Sequence, residues 1–174
     1  MPGELSAAHA GYSIRPAGGP ADLEAARTLF LEYATWLAED LCFQGFEQEL
    51  ATLPGKYAPP DGRLYLACHG DTPIGCIALR RFDADSGEVK RLYVQPAHRG
   101  HGVAHALGQA VIAAARAIGY RRLVLDTLER MDDARKLYAG TGFREIAPYY
   151  HNPIPGAKFM ELVLRDEGGA RPRA

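Results

Sequence analysis

Apolar positions along this chain recur with two periods, and the switches between them mark its elements. Tyr12 to Arg15 alternates as a short strand. A helix follows, with Asp22 as the predicted N-cap and Leu29, Phe30, Tyr33, Trp36 and Leu37 on one face. Phe43 to Leu53 predicts a second helix, closed by Pro54-Gly55. Leu64 to His69 and Ile74 to Phe82 read as strands joined by the turn Gly70 to Pro73, and Glu88 to Val94 as a third. Val103 to Ile118 is a long alanine-rich helix with Val103, Leu107, Ala110, Val111, Ala114 and Ile118 as its buried stripe, closed by Gly119. Then come a strand (Arg122 to Thr127), a short helix (Ala134 to Ala139, ending near Gly140) and strands at Phe143 to Ile146 and Lys158 to Leu164.

The predicted order is β-α-α-β-β-β-α-β-α-β-β. Hairpins in the middle and a strand-helix-strand crossover imply an α/β protein with a mixed, mainly antiparallel sheet and helices on both faces. Residues 12–165 form one predicted domain; 1–11 and 166–174 are predicted flexible tails, too polar at the C-terminal end to bury much.

Composition narrows the reading mainly by exclusion. With 47% apolar and 24% charged residues the chain is ordinary globular protein. A net charge of −1 gives no reason to expect nucleic acid or an anionic membrane as partner. No apolar run reaches the roughly 20 residues of a membrane span, and the N-terminus lacks a signal-peptide pattern, so the expected location is cytoplasmic. Cys42, Cys68 and Cys76 have no metal spacing and read as reduced thiols; no metal is expected.

The most informative stretch is Val94-Gln95-Pro96-Ala97-His98-Arg99-Gly100-His101-Gly102-Val103-Ala104. An apolar strand enters a loop with two glycines one residue apart, and a helix starts at once. Such a loop leaves amide N–H groups uncovered at a helix start, where the dipole favours an anion. A phosphate or pyrophosphate suits it; a simple tight turn is the alternative. It is not a dinucleotide fingerprint, since His105 stands where the third glycine would be, and not a P-loop, since no Gly-Lys-Ser/Thr follows. His98, His101 and His105 belong to this loop and helix start and read as surface or phosphate contacts.

The run LYVQPAHRGHGVAHAL, with ARKLYAGTGF in the next helix, resembles the GNAT superfamily of N-acetyltransferases. The likeness covers roughly residues 12 to 164 through the motifs L-x-V-x-P-x-x-R-G-x-G-x-A and A-x-x-L-Y-x-x-x-G-F. GYRRLVLDTL and PYYHNPIPGAKFMEL further resemble a bacterial branch of that superfamily. The resemblance implies that the central strands splay apart at Val94 and Leu125-Asp126, and that acetyl-CoA is the co-substrate. Arg99, Gly100, His101, Gly102, Val103 and Ala104 would hold its pyrophosphate. Leu92, Tyr93, Val94, Asp126, Met131 and Ala134 would line its arm, with the Val94 amide polarising the thioester carbonyl. Two positions depart from the family pattern: Ala97 replaces a frequent Gln or Arg, and Met131 a frequent Asn.

The resemblance also implies that Tyr138 protonates the departing thiolate; a core aromatic under the last strands is the alternative. Glu88 is the expected base for the amine, on the same strand face as Val94, although Lys90 on that face could simply neutralise it. The acceptor is expected to meet Phe43, Tyr149, His151 and Asn152, with Arg80 and Arg91 either binding a substrate carboxylate or lying solvated on their strands. The leading reading is acetyl transfer to a primary amine, a small molecule rather than a protein N-terminus or lysine, by direct attack in a ternary complex. A non-catalytic acyl-CoA sensor is the rival. Oligomeric state stays open, a homodimer included.

Overall fold

The computed structural model describes residues 7–9 and 11–164; most of both predicted tails lies outside the described residues. One sheet organises them, with strands in the order β1-β2-β3-β4-β5-β6-β8-β7. These are β1 (Ala7–His9), β2 (Tyr12–Pro16), β3 (Arg63–His69), β4 (Thr72–Arg81), β5 (Ser86–Val94), β6 (Arg122–Leu128), β7 (Arg144–Ile146) and β8 (Ala157–Val163). Every neighbouring pair is antiparallel except β5 with β6. The mixed, mainly antiparallel α/β sheet is as expected. One addition is β1, inside the predicted N-terminal tail: its backbone pairs with β2 through Ala7↔Ile14.

Side chains alternate across the sheet and build two cores. On one face, Leu64, Leu66, Cys76 and Ala78 meet Ala26, Leu29 and Phe30 of α1 (Gly19–Leu37) and Phe46 of α2 (Phe46–Ala51). On the other, Tyr65, Ala67, Ile77 and Leu79 meet Val103, Leu107, Val111 and Ala115 of α3 (Val103–Ile118), joined by Tyr138 of α4 (Asp132–Thr141). The buried stripe of α3 is broader than periodicity predicts: Ala106 and Ile112 are buried, Ala110 and Ile118 only partly. No described helix is long and apolar enough to cross a membrane. Cys68 and Cys76 are buried, Cys42 is exposed, and all three thiols are free.

Three boundaries differ from expectation for local reasons. Helix α1 starts at Gly19, and Asp22 lies in its first turn; its carboxylate reaches back to the Gly18 N–H (2.9 Å) and holds Arg15 through two bonds (2.6 and 2.8 Å). Asp22 thus caps from within the helix. The second helix breaks at Gly45, whose φ of 69° separates a 3-10 turn (Cys42–Gln44) from α2. Helix α4 runs past Gly140 to Gly142, which has the left-handed φ of 110° that the closing residue needs.

Gly75 on β4 sits opposite Val94, and a Cβ there would lie 2.8 Å from the Tyr93 carbonyl oxygen. A backbone atom cannot move aside as a flexible side chain does. Gly75→Ala is expected to cost about 2 kcal/mol and lower the thermal midpoint by about 4–8 °C, read by differential scanning calorimetry.

Candidate active site

Strands β5 and β6 pair only through Ser86↔Arg122, Gly87↔Leu123 and Glu88↔Val124. Beyond Glu88 they diverge, as the implied splay requires. Part of the cause lies in β5: opposite β4 the register jumps from Cys76↔Tyr93 to Ala78↔Lys90, so Arg91 and Leu92 together face Ile77. Arg91 has φ of 60°, a left-handed conformation that costs a non-glycine residue about 1–2 kcal/mol. Such a bulge bends and twists its strand. The gap is the mouth of a cleft of about 430 Å³ that runs between the two helical layers.

The gap presents backbone as well as side chains. Gln95 donates its N–H to the Ile74 carbonyl (2.9 Å) across the β4–β5 ladder. Peptide groups alternate along a strand, so the N–H and carbonyl of Val94 turn the other way, toward β6. There the Val94 carbonyl accepts Arg99 Nε (2.8 Å), and the guanidinium stacks over Trp36 at 4.7 Å. Trp36, predicted on the buried face of α1, is 43% exposed for this reason: it forms the rim of the cleft with Tyr33 and Tyr93.

The glycine loop opens onto the same cleft. Gly100 and Gly102 have φ of 78° and 82°, and Gly102 is the N-cap of α3 without a capping side chain. The Val103, Ala104 and His105 amides, which precede the first helical hydrogen bond, meet no acceptor among the described residues. Of the predicted cofactor-binding set, Leu92, Tyr93, Val94, Arg99, Gly100, Gly102, Val103, Ala104, Asp126, Met131 and Ala134 line the cleft; His101 is exposed and does not. Met131 turns its sulfur to the Thr127 hydroxyl (3.9 Å). His98 also lines the cleft, edge-to-face with His69 at 5.9 Å, and no histidine cluster among the described residues could hold a metal.

Tyr138 projects from α4 into the gap, its ring against Phe143 (5.5 Å). It thus packs as a core aromatic while also facing the cleft. No described residue accepts a bond from its hydroxyl. Burial pushes the phenol well above its ordinary pKa, and the neighbouring Tyr33 and Asp126 raise it further, so it stays protonated through the neutral range.

The expected base, Glu88, does not reach the cleft. It is 2% exposed, with one carboxylate oxygen on Arg80 (2.8 Å) and the other accepting the Tyr149 hydroxyl (2.7 Å). Register decides the partner: Arg80 lies directly across from Glu88 on β4. Lys90, the alternative partner for Glu88, reaches across the gap to Asp126 instead (3.2 Å). Asp126 is the carboxylate that faces the cleft, bonded also by the Tyr150 hydroxyl and Asn152 Nδ2 (2.9 Å). Burial alone would raise its pKa, but the Lys90 charge and the Tyr150 and Lys90 hydrogen bonds hold it below the usual carboxylate value.

Arg91 is neither solvated nor free. Its Nε bonds Glu49 (2.8 Å), one terminal nitrogen bonds Gln44 Oε1 (2.8 Å), and Phe46 lies under its plane at 5.1 Å. Of the expected acceptor residues, Arg91 and Asn152 line the cleft. Arg80 and Tyr149 support it through Glu88, and Phe43 and His151 are exposed and line no part of it. Lys90, Gln44 and Tyr33 also line it and had no motif to announce them.

Comparison with known proteins agrees with this geometry. The model of the acetyltransferase (GNAT) family matches residues 24–143. An uncharacterized N-acetyltransferase of Schizosaccharomyces pombe is 40% identical over 148 residues, covering 83% of this chain and 90% of its own length. The likeness is therefore not confined to bacteria. An acetyltransferase structure from Streptococcus agalactiae has a TM-score of 0.75 at 22% identity, covering 88% of this chain and 99% of that one. A structure from Salmonella typhimurium, solved with acetyl-CoA, has a TM-score of 0.70 at 18% identity, covering 94% and 100%. Both structures share the fold.

Proposed function

The chain belongs to the GNAT acetyltransferase family and is an acyltransferase, and we propose that it moves an acetyl group from acetyl-CoA to the primary amine of a small molecule by direct attack in a ternary complex. The observation that carries this reading is the Tyr138 hydroxyl, unpartnered among the described residues at the edge of the β5–β6 gap. The same cleft holds the two groups a thioester donor needs: free amides at the start of α3 and an outward-facing strand backbone at Val94.

The residues fit such a donor. The Val103 to His105 amides and the helix dipole suit a pyrophosphate, with Gly100 and Gly102 letting it approach the backbone. The cleft leads from there to the gap, where the Val94 N–H would polarise the thioester carbonyl. When bound, the donor supplies the acetyl group and a thiolate leaving group.

Nitrogen attack forms the C–N bond, and collapse of the adduct breaks the C–S bond. Tyr138 gives its proton to the sulfur, and the proton shed by nitrogen passes toward Asp126 and solvent. Glu88 acts indirectly, holding Tyr149 and its loop in place. Direct attack fits because no cysteine lines the cleft among the described residues. Tyr150, Asn152 and Gln44 crowd the polar end around Asp126, which favours a compact acceptor over the surface of a folded protein.

The test is free-thiol release from acetyl-CoA against amines, amino acids and short peptides, beside acetyl-CoA binding by titration calorimetry. Amine-dependent release, fastest on small amines, is expected. Tight donor binding with no turnover on any amine supports the sensor instead, and no donor binding overturns both.

A further inference from the structure

Side chains of consecutive strand residues ordinarily point to opposite faces of a sheet. The bulge in β5 breaks this rule at Lys90 and Arg91. A continuous chain of bonds shows both on the α1–α2 face: Lys90 to Asp126, Asp126 to Gln44 Nε2 (3.5 Å), and Gln44 Oε1 to Arg91 (2.8 Å). The bulge that carries the strained φ of Arg91 is what puts the two cations on one face. Strain of this kind persists where the surroundings over-determine it, and it concentrates at functional sites.

Both cations are more than nine-tenths buried (5% and 4% exposed) and both line the cleft. Neither has its donors filled. An ammonium has three N–H groups and a guanidinium five. Lys90 makes a single bond, to Asp126, and Arg91 uses its N–H groups on Glu49 and Gln44 alone among the described residues. Burying such donors unmatched is costly, so a ligand that accepts from them gains by binding.

The charge balance narrows that ligand. Lys90 and Arg91 are offset by Asp126 and Glu49, so the polar end of the cleft is neutral overall but divided. A simple cation gains nothing from the spare N–H groups of Lys90 and Arg91, and a simple anion gains nothing from the Asp126 carboxylate. A zwitterion answers both halves.

We propose that the acceptor is a free α-amino acid, whose carboxylate binds the spare N–H groups of Lys90 and Arg91 and whose amine lies beside Asp126 at the edge of the gap. This rests on the acetyl-transfer reading above. Lys90 and Arg91 are then carboxylate-binding residues, and the bulge is the device that pairs them.

The experiment follows thiol release by the full chain with acetyl-CoA and the common amino acids, each beside its α-carboxamide and its decarboxylated amine. At least one amino acid is expected to exceed its carboxamide in kcat/KM by about 10- to 100-fold, the worth of a charge-assisted pair. Lys90→Met is expected to erase that preference chiefly through KM, with acetyl-CoA affinity by calorimetry unchanged, and Lys90→Arg to restore part of it. Equal or better use of the carboxamide or the decarboxylated amine overturns the proposal, as does a preference that survives in Lys90→Met. Should Lys90→Met fail to fold, the acid–amide comparison on the unaltered protein still decides. If the protein acetylates amines but no amino acid, this inference falls alone. If it acetylates no amine at all, the acetyl-transfer reading falls with it.

Discussion

Replacing Tyr138 with Phe is expected to lower kcat by about 100-fold or more, the usual worth of a positioned general acid, while acetyl-CoA affinity stays within about twofold. The substitution deletes one oxygen from a ring that keeps its contact with Phe143, so the core under β8 and α4 is preserved. Stopped-flow thiol release under single turnover, beside calorimetric donor binding, reads both quantities. The raised phenol pKa gives the pH dependence its sign. A protonated phenol is the active form, and burial keeps it protonated above the ordinary tyrosine range near pH 10. Loss of activity from this group is therefore expected only above that range, and an alkaline limb well below it belongs to another residue. A Tyr138→Phe protein with unchanged kcat would remove the hydroxyl from the mechanism and leave the ring as a packing residue.

Gly102→Val is expected to weaken acetyl-CoA binding by about 10-fold or more through the backbone. Gly102 holds φ of 82°, a conformation poorly tolerated by β-branched residues, and its Cβ would stand 3.4 Å from the Tyr12 hydroxyl. Relief of that strain must turn the peptide that starts α3, and the amides of Val103 to His105 turn with it. Because the helix itself is anchored by Val103, Leu107 and Val111 in the core, the thermal midpoint should fall by only a few degrees, roughly what 1–2 kcal/mol implies. Calorimetric titration with acetyl-CoA, beside a thermal scan, separates the two effects. Unchanged donor affinity would show that the glycine loop serves the turn alone.

The elements were legible where their signal is local. Helix α3 with its closing Gly119, the β3–β4 hairpin and the strand–loop–helix around Gly100 and Gly102 stand almost where periodicity and glycine placement put them. Boundaries slipped where one residue carries two meanings. Asp22 has the chemistry of an N-cap but caps from inside the first turn, and Gly140 is helical while Gly142 takes the left-handed turn. Gly45 breaks a stretch whose apolar spacing is continuous across it.

The proposed donor half of the site was legible because a glycine loop with open amides is built from contiguous backbone. The acceptor half was not, because it is built from register. Glu88 was expected to serve as the base, with a pair to Lys90 two positions on as the alternative; it meets Arg80 because β4 and β5 align those residues, while Lys90 reaches β6 across the gap. Gln44 joins Asp126 from 82 residues away, through a turn with no chemical motif of its own. Arg91 reads as one more alternating strand residue, since nothing in Lys-Arg-Leu announces a left-handed arginine.

What the sequence determined by itself, then, is every element but the short β1, the mixed sheet, the family and the amide-lined loop, because periodicity, glycine conformation and helix ends act over a few neighbouring residues. What only the tertiary structure decided is which carboxylate faces the cleft and which cations line it beside that carboxylate. Those depend on strand register, on one bulge and on where β5 parts from β6, which contacts between distant segments settle.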